Sequence, residues 1–177
     1  MSLRHAVLGL IAELEGASGY DLLKVFDVSL ANVWTATQSQ IYGELGRLAD
    51  DGLIRVAAEG PRGRKEYAIT DAGRAEMRRW LTETRPRYLR RDEPMLRVFF
   101  FGQAGAATAA ALLDAESDAL AGMLDELVEL DERIPWKEDD LSFYGGLAIE
   151  YGKRFMEMRR DWARWARDEV AARDAGD

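Results

Sequence analysis

Cysteine is absent from this 177-residue chain, and histidine occurs once, as His5. The first absence removes disulfide frameworks, thiolate metal sites, redox pairs and a cysteine nucleophile together. The second leaves no set of nitrogen ligands for a metal and no histidine base with catalytic partners, so the sequence predicts neither an enzyme nor a cofactor. His5 reads most simply as a surface or core-edge residue of the first helix. Long apolar runs are missing too: no stretch approaches the roughly 20 residues that span a bilayer, and Met1-Ser2-Leu3-Arg4-His5 does not open a secretory signal. The expectation is a cytoplasmic protein with no membrane partner. Hydrophobic residues make up 47% and charged ones 32%, which excludes a disordered chain and leaves one ordinary domain, or a small domain with a helical appendage.

Basic residues are outnumbered 24 to 32, for a net charge of -8. The excess is uneven, because Met1 to Arg85 carries 11 basic and 12 acidic residues, whereas Pro86 to Asp177 carries 13 and 20. Salt screens charges beyond about 8 Å, so only the field at a docking face governs close approach. An acidic chain with a local basic surface is therefore compatible with nucleic acid. The acidic runs Asp125-Glu126 and Glu138-Asp139-Asp140 read as solvated helix faces and a loop rather than as a metal cluster.

Leu3, Val7, Leu10, Ile11 and Leu14 recur at helical spacing before Gly16, which predicts a first helix from about Leu3 to Glu15. Ser18 has the position of an N-cap for a second helix, with Tyr20, Leu23 and Phe26 on its apolar face. The polar run Thr35-Ala36-Thr37-Gln38-Ser39 then leads into a stripe of Ile41, Leu45 and Leu48 closed by Asp51-Gly52, a third helix with a glycine C-cap. Its opposite face would present Gln40, Tyr42, Gly43 and Arg47. Ile54, Val56 and Ala58, and again Lys65, Tyr67 and Ile69, alternate at period two, predicting two half-buried strands; Gly60-Pro61-Arg62-Gly63-Arg64 between them is turn chemistry. Thr70 caps a fourth helix that turns Met77, Trp80 and Leu81 inward and breaks at Pro86. The order helix-helix-helix-strand-strand-helix is that of a winged helix-turn-helix.

Pro86 to Arg91 reads as a linker or helix end, and everything beyond it reads helical: Met95 to Phe101, Ala106 to about Arg133, and about Phe143 to Arg173. In the last, Leu147, Tyr151, Phe155, Met158, Trp162 and Trp165 follow one another at steps of 4, 4, 3, 4 and 3, the spacing of a coiled-coil seam. The fold class expected is mainly α with a small β-hairpin.

The third helix and the hairpin carry the functional signal. A helix of this size fits the DNA major groove, and the side chains at its N-terminal end reach deepest. Ser39, Gln40 and Tyr42 stand there, with Thr37 and Gln38 just before them; a glutamine amide can pair with adenine, and hydroxyls can serve bases or phosphates. The alternative is a set of solvated cap residues. The hairpin tip adds Arg62, Arg64 and Lys65, with Arg55 at the start of the first strand and only Glu59 acidic between Arg55 and Lys65, a local charge of +3. Such a tip can follow a phosphate ridge or place an arginine in a narrow minor groove, although a charged turn is often nothing more than solvated. The polar helix start together with the basic hairpin favours DNA.

Gly19-Tyr20-Asp21-Leu22, Trp34, Ser39-Gln40-Ile41-Tyr42 with Leu45 and Leu48, Gly52-Leu53-Ile54, Arg64-Lys65-Glu66-Tyr67-Ala68-Ile69-Thr70-Asp71-Ala72-Gly73 and Trp80-Leu81 follow in this order over Leu3 to Leu81. This chain of motifs resembles the phenolic acid decarboxylase regulator (PadR) family of transcription factors. The second half is similar, more loosely, to the helical C-terminal domain of its longer members: Asp92-Glu93-Pro94-Met95-Leu96-Arg97 with Phe99-Phe100-Phe101-Gly102 resembles the start of that domain, and the helix from Tyr151 to Trp165 its end. Gly43 departs from the family, which more often has proline after the tyrosine. With Gly46 it weakens the helix by roughly 1 kcal/mol each relative to alanine, either tolerated or used to bring bare backbone close to DNA.

The resemblance implies a winged helix-turn-helix DNA-binding domain over residues 1–85 and a helical dimerisation domain over 86–177, with Leu147, Tyr151, Phe155, Met158, Trp162 and Trp165 at the dimer contact. It implies regulation, most often repression, of transcription by a homodimer on double-stranded DNA carrying an inverted-repeat operator, relieved by a small apolar or aromatic effector. Tyr144 and Trp136 add to the aromatic walls of this half, though a ring stripe at helical spacing is more often dimer core than pocket. The rival from another class is a winged-helix module that binds protein and not DNA; Arg62 and Arg64 speak against it.

Overall fold

The computed structural model describes residues 2–26, 36–86 and 92–176, and the chain divides into two compact units, Met1–Arg87 and Tyr88–Asp177. Trp34, Thr35 and most of the expected linker lie outside the described residues.

In the first unit the helices are α1 (Ser2–Glu13), α2 (Gly19–Val25), α3 (Gln38–Asp50) and α4 (Asp71–Glu83), with strands β1 (Ile54–Glu59) and β2 (Lys65–Ile69) between α3 and α4. Val7, Leu8, Leu10 and Ile11 of α1 meet Leu22 and Phe26 around α2, and Ile41, Leu45 and Leu48 of α3, in one buried cluster that Ile54 closes. Burying side chains of this size stabilises by about 1.5–3 kcal/mol each, so the three-helix core dominates the unit. Local signals set its ends. Ser18 caps α2 in a reciprocal box with Asp21, Gly52 takes the left-handed backbone after α3 with φ 70°, and Thr70 Oγ1 accepts the Gly73 N–H at the start of α4.

Three expectations for this unit need correction. Tyr20 does not face the core; it is 60% exposed with the Lys24 ammonium 5.0 Å from its ring, and Leu22 fills the interior place. Leu81 is exposed on α4. The first strand is not half-buried: only Ile54 is inside, Val56 is already exposed, and beyond it a bulge at Ala57 shifts the antiparallel register from Val56↔Tyr67 to Ala58↔Glu66. His5 lies inside the unit, its ring stacked at 4.7 Å on Trp80 and its Nε2 3.0 Å from Glu76 Oε1, tying α1 to α4.

In the second unit α5 (Glu93–Val98) starts earlier than expected, because Asp92 caps it with Pro94 in its first turn, and it ends before Phe101; a single turn at Phe101–Gln103 follows. The long helices α6 (Ala106–Arg133) and α7 (Asp140–Gly176) pair antiparallel, as Leu127 against Gly152, Ser117 against Arg164 and the Lys153–Asp131 ion pair show. Asp139 accepts the Ser142 N–H at the start of α7, so the acidic run there is a helix start. The inner face of α6 is Ala109, Leu113, Ser117, Leu120, Leu124 and Leu127. Against it α7 turns Ile149, Gly152 and Ala163, and a Cβ on Gly152 would stand 3.3 Å from Leu127. The predicted aromatic seam is thus not what packs on α6.

Candidate nucleic-acid interface

α3 presents an exposed face made of Gln38, Ser39, Gln40, Tyr42, Gly43, Gly46 and Arg47. Its start is held by a second reciprocal box: Gln40 N–H donates to Thr37 Oγ1 at 3.3 Å, and Thr37 N–H donates to Gln40 Oε1 at 2.8 Å. Gln38 and Ser39 project into solvent beside it. Tyr42 is 45% exposed and lies over the first residue of α2: a Cβ on Gly19 would meet its ring at 2.7 Å. Gly43 and Gly46 meet nothing within 4 Å, so this unit's own packing does not demand glycine there. Arg47 pairs with Glu44 one turn away at 2.6 Å.

The wing is fastened to the α1–α2 turn. Tyr67 N–H donates to Ala17 O at 3.0 Å, and Ser18 bridges Glu66 across the chain. At the tip, Pro61–Gly63 makes one tight turn with Gly63 at φ 75°, closed by Gly60 N–H to Arg64 O at 2.7 Å. The backbone of Arg62 is in this turn, and its side chain lies outside the described residues. Arg64 is half exposed but turned back: its Nη2 donates to Asp21 Oδ2 at 3.0 Å, and Glu66 is 3.9 Å from its Nε. Lys65 and Arg55 are exposed and enter no ion pair among the described residues. The tip is thus less positive than its residue count, since Arg64 already has a carboxylate.

Asp21 is therefore the residue the sequence reading missed. The Ser18 hydroxyl and backbone N–H both donate to its Oδ2, at 2.6 and 2.9 Å, and with Arg64 they hold its carboxyl below the ordinary aspartate value. Ser18-x-x-Asp21 signals the cap in the sequence, but nothing there signals the tie to Arg64, 43 residues away. Burial raises the pKa of the Tyr67 hydroxyl above its usual value, and Tyr42 of α3 adds to this.

A different surface lies on the second unit. Leu147, Tyr151, Met158 and Trp165 are 53–70% exposed, and Phe155 and Trp162 are half-buried. Phe99 and Phe100, after α5, are exposed as well. A cavity of about 380 Å³ opens among Met95, Val98, Phe101, Leu113 and Trp162, with Arg159 and Glu116 on its wall. Those two charges pair with each other at 2.9 Å, so the cavity is apolar with internally compensated charge.

Comparison with known proteins agrees with this geometry. Residues 7–79 match the family described as "Transcriptional regulator PadR-like family", and residues 90–171 match "Virulence activator alpha C-term". The negative transcriptional regulator PadR of Bacillus subtilis is 30% identical over 97% of this chain and 97% of its own length. Among solved structures, Bacillus subtilis PadR in complex with operator DNA aligns with a TM-score of 0.83 at 28% identity, covering 96% of this chain and 99% of that one. The same protein in complex with p-coumaric acid aligns with a TM-score of 0.83 at 27% identity, over 97% and 99%. With a winged helix followed in sequence by a helical pair, and a relative of this similarity over its whole length, the chain belongs to the PadR-like family of transcriptional regulators.

Proposed function

We propose that the chain is a repressor that binds an inverted-repeat operator as a homodimer through its first unit. The observation that carries this is the shared surface of α3 and wing: an exposed, polar helix start and a hairpin fastened beside it through Ala17, Ser18 and Asp21. Thr37, Gln38, Ser39, Gln40 and Tyr42 face the major groove, and Arg62, Arg64 and Lys65 the flanking phosphates. The similarity to a PadR bound to operator DNA supports this orientation. Residues 86–177 form the dimerisation domain, whose row of exposed Leu147, Tyr151, Met158 and Trp165 with half-buried Phe155 and Trp162 meets a second copy. Two-fold symmetry then sets the recognition helices about one helical turn apart, roughly 10 bp or a multiple. The apolar cavity at Trp162 is the candidate seat of a small apolar or aromatic effector.

The test is binding of the purified protein to a duplex carrying its own upstream region and to a scrambled duplex, over a salt series. Tight, sequence-dependent binding that falls steeply with salt is expected. Absence of salt-dependent binding to any duplex would instead point to a protein-interaction module.

A further inference from the structure

Gln40 enters the site with one end of its carboxamide already in use. Its Oε1 accepts the Thr37 backbone N–H at 2.8 Å and the Thr37 hydroxyl at 3.2 Å. A backbone N–H can only be answered by an acceptor, so chemistry fixes the amide's orientation: oxygen toward Thr37, the NH2 group outward. An exposed glutamine ordinarily offers both a donor and an acceptor. This one, at the start of α3, offers donors alone.

That difference selects a base. Adenine is read in the major groove by a donor to N7 and an acceptor for its N6 amine together, which is how a glutamine binds it bidentately. Freeing Oε1 for that purpose would give up both of its hydrogen bonds to Thr37 and break the reciprocal half of the box at the start of the recognition helix. Guanine presents two acceptors, O6 and N7, and asks for donors only. Resting on the reading of α3 as the groove helix, we propose that Gln40 is a specificity-determining residue that reads guanine through its NH2 group, and that the box with Thr37 sets this choice.

Selection from a randomised duplex pool, run in parallel with wild-type protein, Gln40→Ala and Gln40→Glu, tests the idea. A glutamate at this position still accepts the Thr37 N–H, so the helix start is kept while the outward donors are lost. The expected result is one guanine per half-site whose preference disappears in Gln40→Ala and moves toward cytosine, a donor base, in Gln40→Glu. Replacing that guanine by 7-deazaguanine should weaken wild-type binding by roughly 5- to 100-fold and leave Gln40→Ala unaffected. Two results overturn the proposal: a Gln40-dependent position that is adenine and loses affinity when its N6 amine is removed, or selected sequences identical in all three proteins. Failure of wild-type protein to enrich any sequence, or to bind with salt dependence, would instead bring down the DNA-reading function itself.

Discussion

Tyr42 keeps its place because residue 19 has no side chain. A methyl group on Gly19 would come within 2.7 Å of the ring, and the half-exposed ring is free to swing away. Gly19→Ala is therefore expected to weaken operator binding about as much as Tyr42→Ala while leaving the melting temperature near wild type, and the two changes together should be non-additive. Gly73 is the contrasting case. There a Cβ would collide with the Leu53 carbonyl, backbone that cannot yield, so Gly73→Ala should destabilise by about 1–3 kcal/mol or more in denaturant titration. Asp21 supplies a pH signature. Its folded carboxyl sits below the ordinary value, so its stabilisation is complete above about pH 4 and is lost as pH falls through the lower folded value. The stability gap between wild type and Asp21→Asn should accordingly close in acid.

Between α3 and the wing, charges compete. Arg64 already meets Asp21, so if the tip binds DNA, a phosphate must displace a carboxylate. Asp21→Asn keeps an acceptor for the Ser18 N–H and releases the guanidinium; low-salt affinity for DNA should rise and the salt slope steepen by up to about one. Along α3, Gly43 and Gly46 face open space. Alanine at either should stabilise the fold by roughly 1 kcal/mol, and a simultaneous loss of DNA affinity would show that the duplex approaches the bare backbone there. Elements of this kind were legible in the sequence because their causes are local. The Ile41, Leu45, Leu48 stripe, the caps at Ser18 and Thr70 and the turn at Gly60-Pro61-Arg62-Gly63-Arg64 all act within a few residues. What escaped depends on distant partners: the inward place of Leu22 rather than Tyr20, the bulge at Ala57 and the Arg64–Asp21 pair. The Thr37–Gln40 box is the exception, local and written in the Thr-x-x-Gln spacing, yet not read from it. The α7 periodicity marks an apolar row, yet period alone does not say which of two faces turns to α6, and Ile149, Gly152 and Ala163 took it.

At the scale of the whole molecule, the prediction concerns assembly. If a second copy covers the row from Leu147 to Trp165, a charge placed in its middle should separate the copies. Tyr151→Glu is expected to sediment as a monomer and to lose most operator affinity, since each half-site then binds alone. The α6–α7 pair gives this a further consequence. To the buried leucines of α6 the helix α7 brings Ile149, Gly152 and Ala163, and it leaves Leu147, Tyr151, Met158 and Trp165 exposed. If a second copy covers that row, the stability of this half follows mass action: each tenfold dilution removes about 1.4 kcal/mol per dimer, so the melting temperature should fall with protein concentration. A repressor built this way gauges its own abundance, loosening as its copies grow scarce.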